Sequence, residues 1–326
     1  MRWYTNLPTV KASLSNPIPA IQTINLSKHY KSSPDLALDS LNLTVVQGEI
    51  FGFLGPNGAG KTTTIRLLLD LIRPTSGRAL ILGFDNTKSS LEVRRRVGYL
   101  PGELRLYPNS NAKTLIKLFT SLRAGQISEQ YVNYLRKRLE VDSDTPIGRL
   151  SHGNRQKIGL VLALMSQPDL LILDEPTTGL DPIVKHTVLD LLMEIKSEGK
   201  TVFFSSHVLP DIEQICDRIG IIRKGNLATV EQVQTIRERR VQRIRINFNK
   251  HVSGRDFDSL PGVRLLDASE RSLYLEFTGE ADPIIKTASR HHVISIESEH
   301  PSLDEIFMSY YKASPPIADI HGEADA

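Results

Sequence analysis

The chain has 326 residues, of which 40% are apolar and 24% charged, and its formal net charge is +3. This composition is typical of a globular protein, and the length allows one large domain or two unequal ones. The charge is spread without a long basic block, so we expect no nucleic-acid partner. No apolar run approaches the roughly 20 residues that cross a bilayer. Cys216 is the only cysteine, which excludes an intramolecular disulfide framework and suggests a core thiol in a reducing compartment.

Short β-type runs alternate with helical stretches over residues 21–232, after a leader, residues 1–20, that we expect to be flexible. Helical periodicity is clear over 63–71 and 182–196. The predicted strands, in chain order, are IQTINL, EIFGFLG, RALILG, VGYL, DLLILDEP, TVFFSSH and IGIIRKG. Strands that alternate with helices predict an α/β domain with a largely parallel sheet.

The pattern changes in two later parts of the chain. The amphipathic segments NAKTLIKLFTSLRAG and SEQYVNYLRKRLE follow residue 107 with no strand candidate before residue 150, which predicts a helical subdomain over about 107–165. Residues 233–313 combine alternating runs, such as RSLYLEFTG, with the helical segments PIIKTASRHH and SLDEIFMSYY. They predict a small accessory α+β domain, and residues 314–326 an unstructured tail.

The stretch GPNGAGKTT joins the apolar run EIFGFL to a helical run, which is the strand–loop–helix context of a phosphate-binding loop. Gly55, Gly58 and Gly60 permit a tight turn whose N–H groups converge on phosphate oxygens beside the positive end of a helix dipole. Lys61 is expected to reach the β- and γ-phosphates, and the Thr62 hydroxyl to ligate Mg²⁺. The alternative is a glycine turn that ends in a lysine by chance.

Two adjacent carboxylates end the buried-strand run LLILDEP. Asp174 is expected at the carboxyl end of its strand, where doubly wound sheets bind ligands. Because strand residues alternate in direction, Asp174 and Glu175 can take different roles. Asp174 suits support of Mg²⁺, directly or through water, and Glu175 suits activation of the water that attacks a γ-phosphate. A solvated strand end is the alternative.

The motifs GPNGAGKT, LSHGNRQ, LLILDEPTTGLDP and SSH occur in the order found in ATP-binding-cassette (ABC) ATPases, which residues 21–224 resemble. The single cassette, GYLPGELRLYP and PSLDEIF are most similar to the ATPase subunits of ABC-2-type exporters, including multidrug and antibiotic exporters. The resemblance implies a P-loop NTPase cassette with a mixed, largely parallel sheet and a helical insertion, followed by the small α+β domain. It also implies ATP and Mg²⁺ as ligands. The ATP contacts implied in the loop are those of Gly55, Pro56, Asn57, Gly58, Ala59, Gly60, Lys61, Thr62 and Thr63.

The segment LSHGN stands where the family usually has LSGGQ, the signature that contacts ATP held by the other protomer. The resemblance assigns this contact to Ser151, His152, Gly153 and Asn154. The hydroxyl and the second glycine are retained at a helix start, so we expect a working signature. Ser151 also suits the N-cap of an apolar helix over 157–165, and both roles are compatible. For His152 we expect a surface imidazole, with a pH switch as the alternative.

Three further residues match family positions. Tyr30, in LSKHY, matches the aromatic residue that stacks on adenine, although a tyrosine at a strand end can also merely pack. His207 matches the switch histidine, which contacts the γ-phosphate and holds the catalytic carboxylate and its water. Asp181, in GLDP, matches the loop that crosses the dimer interface, and it also suits a helix N-cap before Pro182.

One position departs from the family pattern. Gly102 stands where most cassettes have a glutamine that touches Mg²⁺ and couples to the membrane partner. Glu103 is next to it and offers an oxygen ligand of the kind Mg²⁺ prefers, or else faces solvent. Weaker metal binding or altered coupling is therefore the main question about catalysis.

The resemblance implies a motor subunit on the cytoplasmic face of the membrane. Two copies, or this chain and a paralogous ATPase subunit, would close around two ATP molecules and drive a separate transmembrane permease. The helical insertion and the GYLPGELRLYP loop are the expected docking surface. The alternatives are a non-transport cassette ATPase, a nucleotide-dependent regulator that has lost hydrolysis, and a P-loop kinase, which would have no use for LSHGN. The transported substrate is not evident from the sequence.

Overall fold

The computed structural model describes residues 18–31, 34–123, 127–239 and 242–299. The expected tail, the predicted helix SLDEIFMSYY and most of the expected leader lie outside these residues. The strands are β1 Ile21–His29, β2 Leu36–Val45, β3 Ile50–Leu54, β4 Ser76–Ile81, β5 Phe84–Asp85, β6 Val97–Leu100, β7 Leu170–Asp174, β8 Thr201–Ser206, β9 Arg218–Arg223, β10 Asn226–Gln232, β11 Gln242–Phe248, β12 Val263–Ala268, β13 Ser272–Phe277 and β14 Val293–Glu299.

The helices are α1 Lys61–Leu68, α2 Ser90–Arg96, α3 Ala112–Leu122, α4 Glu129–Arg138, α5 His152–Leu164, α6 Pro182–Ser197, α7 Leu209–Ile215, α8 Val233–Arg239, α9 Arg255–Asp258 and α10 Asp282–Ala288. A short 3₁₀ turn over Ile147–Arg149 precedes α5. Within the described ranges, no helix combines the length and the apolar character that a membrane crossing requires.

The central sheet has six strands in the order β10-β9-β3-β8-β7-β6. Five of its strands, from β9 to β6 in this order, run parallel to one another, and the edge strand β10 is antiparallel to β9. Every residue of β3, β7 and β8 is buried, as expected for strands covered on both faces. The predicted α/β class with a mixed, largely parallel sheet is therefore confirmed.

A second sheet is antiparallel, with the order β2-β1-β4-β5. It contains the strands predicted from IQTINL and RALILG, so these two do not join the parallel sheet. The sequence reading missed β2, whose residues from Leu41 to Val45 alternate between buried and exposed. That alternation is typical of a strand with one face toward the core.

The helical insertion forms as predicted, and no strand lies between β6 and β7 among the described residues. Asn111 caps α3 by accepting from Thr114 N, and Ser128 caps α4 by accepting from Tyr131 N. The helix expected to begin at residue 157 begins instead at His152, the first residue of α5. The first turn of α5 is polar, whereas the predicted start of the helix depended on the apolar run that comes after this turn.

The C-terminal part folds around a third sheet, antiparallel and in the order β12-β13-β11-β14. Its apolar side chains form a cluster of their own, centred on Ile246, Phe248, Phe257 and Leu275, none more than 1% exposed. The expected combination of alternating strands and helices is present, although α9 was not predicted.

Cys216 lies at the end of α7 and is buried. A Cβ placed on Gly52 in β3 would lie 3.1 Å from its Sγ, so the thiol packs closely against the central sheet. Burial raises the pKa of the Cys216 thiol well above its ordinary value, which disfavours the reactive thiolate. The expectation of a core thiol agrees with this position.

We predict that Phe203→Ala destabilises the protein by about 3–5 kcal/mol, the usual cost of removing a buried aromatic ring. Phe203 in β8 is completely buried and packs on Phe51 and Phe53, with ring centroids 5.9 and 5.3 Å apart respectively. Urea denaturation measures the loss, and Phe119→Ala, at a side chain that is 39% exposed, is the matched control. Equal losses for the two variants would contradict this account of the core.

Candidate functional site

The loop between β3 and α1 is anchored at both ends. Gly55 N donates to Ser206 O at 3.3 Å, which ties the start of the loop to the end of β8. Gly60 is the N-cap of α1 and has φ +111°, a conformation that side chains disfavour. A Cβ on Gly60 would also lie 2.8 Å from Ala37 O. The loop therefore depends on glycine here, and it leads directly into the positive end of the α1 dipole.

Lys61 is the first residue of α1, and only 6% of its side chain is exposed. Its Nζ donates to Gly55 O at 2.6 Å and to Pro56 O at 3.2 Å. The same amine lies 3.3 Å from Glu175 Oε1. The lysine charge is thus held inside the loop and faces a carboxylate across it.

Asp174, the last residue of β7, is 1% exposed. Its Oδ2 accepts from Thr62 Oγ1 at 2.8 Å, and its Oδ1 accepts from Ser205 Oγ at 2.6 Å. Both oxygens of this buried carboxylate are therefore hydrogen-bonded, which a buried charge requires. The contacts join the ends of β7 and β8 to the first turn of α1.

Glu175 follows with φ +53°, an unusual conformation for a residue other than glycine. Its backbone N–H donates to both the carbonyl and the hydroxyl of Ser205, at 3.2 Å each. This bend turns the Glu175 side chain away from Asp174, toward Lys61 and His207. The strained backbone is thus part of what separates the two carboxylates.

The Glu175 carboxylate is held between three groups. Oε2 lies 2.7 Å from His207 Nδ1 and accepts from Thr178 Oγ1 at 3.3 Å. Oε1 is buried and accepts no hydrogen bond, with Lys61 Nζ as its near charge at 3.3 Å. An oxygen so placed has an unused lone pair for a proton donor such as water.

A cavity of about 320 Å³ opens beside these groups. It is lined by the loop residue Asn57, by Arg66 and Tyr99, and by the carboxylates and His207. Burial, together with the charge of Asp174, raises the pKa of Tyr99 to about 12, so its hydroxyl stays protonated. The cavity is therefore polar, with cationic, anionic and neutral donors on its walls.

Gly102 and Glu103 also line this cavity. A Cβ on Gly102 would lie 3.3 Å from Asp174 Oδ2, so glycine permits the chain to approach that carboxylate closely. The Glu103 side chain is 79% exposed and lies 3.4 Å from Arg105 NH2. Of the two roles open to Glu103, this orientation is the one in which it faces solvent.

The residues present fit a magnesium ion. Thr62 and Asp174 supply a hydroxyl and a carboxylate oxygen 2.8 Å apart, and Mg²⁺ prefers such hard oxygen donors. Among the described residues, no three His, Cys, Asp or Glu side chains are placed so that together they could hold a metal ion. A site with one or two protein ligands is typical of Mg²⁺ that also binds phosphate and water.

The segment LSHGN and the loop after Glu175 each lead into the start of a helix. Ser151 is the N-cap of α5 and accepts from Asn154 N at 3.2 Å. Asp181 is the N-cap of α6 and accepts from Ile183 N and Val184 N, with Pro182 at the helix start. Both capping roles agree with the sequence expectations.

The structure thus brings Lys61, Thr62, Asp174, Glu175 and His207 into one connected network. Tyr30 lies just after β1, partly buried, with Lys28 Nζ 5.3 Å from its ring centroid. Within the described ranges of the chain, Tyr30 has no hydrogen bond to any residue of this network.

Sequence reasoning missed Ser205, Thr178, Arg66 and Tyr99. A polar residue inside the apolar run TVFFSS was the available signal for Ser205, since a buried hydroxyl needs a partner.

The family model described as ABC transporter matches residues 38–178. The chain is 41% identical over 210 residues to the bacitracin transport ATP-binding protein of Bacillus licheniformis, which covers 64% of this chain and 68% of the relative. It is 29% identical over 295 residues to a fluoroquinolones export ATP-binding protein of Mycobacterium tuberculosis, covering 88% of this chain and 92% of the relative.

The fold is similar to that of the dimeric structure of a bacterial ABC transporter cassette, with a TM-score of 0.61 and 25% identity. The match covers 65% of this chain and 98% of the cassette. The match to the fluoroquinolones export protein thus covers a larger share of this chain than the match to the solved cassette does.

We predict that Ser205→Ala lowers ATP hydrolysis by about 10-fold or more and raises the Mg²⁺ concentration required, as is usual when a hydrogen-bond partner of a metal ligand is lost. The variant leaves Asp174 Oδ1 without its 2.6 Å donor. Titration of activity with Mg²⁺ measures the effect. Ser206→Ala is the neighbouring control, because Ser206 Oγ bonds the Val208 backbone and neither carboxylate. An unchanged Mg²⁺ requirement in Ser205→Ala would refute the role given to this hydroxyl.

Proposed function

Because this chain belongs to the ABC transporter family, as an ATP-hydrolysing subunit, we propose that it drives export through a separate transmembrane permease from the cytoplasmic face of the membrane. The observation that carries the proposal is the network of Lys61, Asp174, Glu175 and His207, which is complete in this chain. Relatives named for bacitracin transport and fluoroquinolone export support an exporter. They leave the cargo of this chain open.

We propose that ATP binds in the loop of residues 55–63. The backbone N–H groups and the α1 dipole attract the phosphates, and Lys61 exchanges its carbonyl contacts for the β- and γ-phosphate oxygens. Tyr30 supports the adenine by stacking. Thr62 and Asp174 hold Mg²⁺, which neutralises phosphate charge when bound. Glu103 lines the cavity, but its side chain is 79% exposed, so we assign it no direct contact with the ion.

Glu175 is the proposed general base. Glu175 lines the cavity, and its Oε1 is buried beside Lys61 without accepting a hydrogen bond. Once Lys61 turns to the phosphates, this oxygen can take a proton from the water that attacks the γ-phosphate. His207 and Thr178 fix the other oxygen, Oε2, at 2.7 and 3.3 Å. Lys61 holds the negative charge of this carboxylate in place until phosphate enters.

We propose that two cassettes close around two ATP molecules. Ser151, Gly153 and Asn154, with His152 through its backbone N–H, would then meet the nucleotide of the opposite protomer, because the α5 N-terminus offers N–H groups and a dipole to phosphate. Asp181 would lie at the interface beside them. Closure follows from binding, since each ATP contacts both protomers only in the closed dimer. A homodimer and a pair with a paralogous subunit both fit this scheme.

The proposed permease site is a groove between the helical insertion and the central sheet. Its cavity of about 400 Å³ is mainly apolar and includes Leu71, Leu106, Phe119 and Leu162. Leu71 and Phe119 are 53% and 39% exposed, as expected for anchors of a partner. Residues 99 and 101 line both this groove and the catalytic cavity. Docking and hydrolysis are thereby connected through the end of β6 and the residue that follows it.

A regulator without hydrolysis is not favoured. Such a protein has no need for the arrangement around Glu175, whose carboxylate is held by lysine, histidine and threonine side chains. It also has no need for an adjacent aspartate with both oxygens hydrogen-bonded. The departure at Gly102 leaves this network intact, because the glycine removes a side chain without removing a partner of Asp174.

We predict that Glu175→Gln retains ATP binding, loses hydrolysis by at least about 100-fold, and forms a stable dimer with Mg-ATP. Light scattering measures the mass with and without nucleotide, beside the parent protein. Lys61→Ala is the control, because it should remain monomeric with ATP. A Glu175→Gln variant that hydrolyses ATP at the parent rate would contradict the assignment of the base. One that stays monomeric with bound ATP would contradict the dimer.

A further inference from the structure

The imidazole of His152 packs directly on Gly179, in the loop between β7 and α6. A Cβ placed on Gly179 would lie 2.5 Å from His152 Cδ2 and 3.2 Å from Nε2, and ring atoms of His152 are its three nearest neighbours. Gly179 has φ +74°. The bare Cα of this glycine therefore forms the surface on which the ring rests.

Other residues near the start of α5 contact the same loop. A Cβ on Gly153 would lie 3.1 Å from Gly179 O and 3.8 Å from Leu180 Cδ2. Gln156 is 1% exposed, and its Nε2 donates to Pro176 O at 3.5 Å. The helix start thus touches the loop at Pro176, Gly179 and Leu180, which makes the pair one packed unit.

The same loop carries a group that holds Glu175. Thr178 N donates to Glu175 O at 3.2 Å, and Thr178 Oγ1 donates to Glu175 Oε2 at 3.3 Å. On the other side, Thr177 Oγ1 donates to Asp211 Oδ2 at 2.8 Å, and Lys185 pairs with this buried carboxylate. The backbone from 176 to 180 is therefore fixed by Asp211 on one side and by α5 on the other.

We propose that His152 is a positioning residue for hydrolysis, which acts through Gly179 and Thr178 on the Glu175 carboxylate. The ring prevents the loop from moving toward α5, so that the Thr178 hydroxyl stays directed at Oε2. Oε1 then remains free for the attacking water. A glycine at position 152, as in the usual LSGGQ, offers no ring for this contact. The inference rests on the proposed role of Glu175 as the base.

A double-mutant cycle tests the contact. Gly179→Ala places a methyl group against the His152 ring and also strains a backbone at positive φ. His152→Ala removes all three ring atoms near that methyl group. The backbone strain is common to both backgrounds and cancels in the cycle. We expect Gly179→Ala to lower kcat at least about threefold more when His152 is present than in the His152→Ala background.

The single variants separate positioning from substrate contact. His152→Ala should lower kcat about tenfold through a displaced base, with the KM for ATP nearly unchanged. His152→Phe keeps a ring of similar shape and should recover most of kcat. His251→Ala, at an exposed histidine in the C-terminal part, is the control and should behave like the parent.

Hydrogen exchange gives a readout that needs no turnover. The backbone amides of residues 177–181 should exchange faster in His152→Ala than in the parent, and at nearly the parent rate in His152→Phe. Additive effects in the cycle, or unchanged exchange in His152→Ala, would overturn the proposal. A loss of activity in His152→Phe equal to that in His152→Ala would overturn it as well. If the parent protein does not hydrolyse ATP, the proposed function fails instead, and the exchange rates still decide whether His152 holds the loop.

Discussion

Three adjacent parallel strands, β3, β8 and β7, end at the same edge of one sheet, and every part of the site depends on this alignment. The phosphate-binding loop leaves β3, the carboxylates leave β7, and the Ser205 hydroxyl and His207 belong to the end of β8. Because the strands pair in register, Asp174 lies opposite Ser205, and Leu54 opposite Ser206. The hydrogen bonds between these groups therefore follow from the pairing of buried, apolar strands.

The two neighbouring carboxylates of the site differ in their hydrogen-bond partners and nearby charges. Asp174 has both oxygens occupied by hydroxyl donors and is nearly inaccessible, so its carboxylate is held in a fixed position. Glu175 is held by His207 and Lys61 and keeps one oxygen without a hydrogen bond. The difference coincides with the positive φ of Glu175, where the chain bends so that the two side chains have different partners. Strained backbone conformations of this kind are common in active sites.

Much of this arrangement was predictable, because motif spacing reports which strand ends carry which groups. The strand–loop–helix around Lys61 and the acid at the end of β7 follow from apolar runs that stop at polar residues. The antiparallel sheet did not follow, because β1 and β4 have the same local pattern as parallel strands and differ only in their partners. The early start of α5 was missed, since the turn at His152 is polar. The contact between His152 and Gly179 joins residues distant in sequence, so no local pattern reports it.

The central claim is that this site hydrolyses ATP shared between two protomers, with Glu175 as the base. The structure of Glu175→Gln bound to Mg-ATP tests it most directly. The account predicts two ATP molecules, each between the loop of residues 55–63 in one protomer and the start of α5 in the other, with Ser151 within hydrogen-bond distance of a phosphate. ATP bound to a single protomer, or a dimer in which the α5 N-termini face away from the nucleotides, would contradict it.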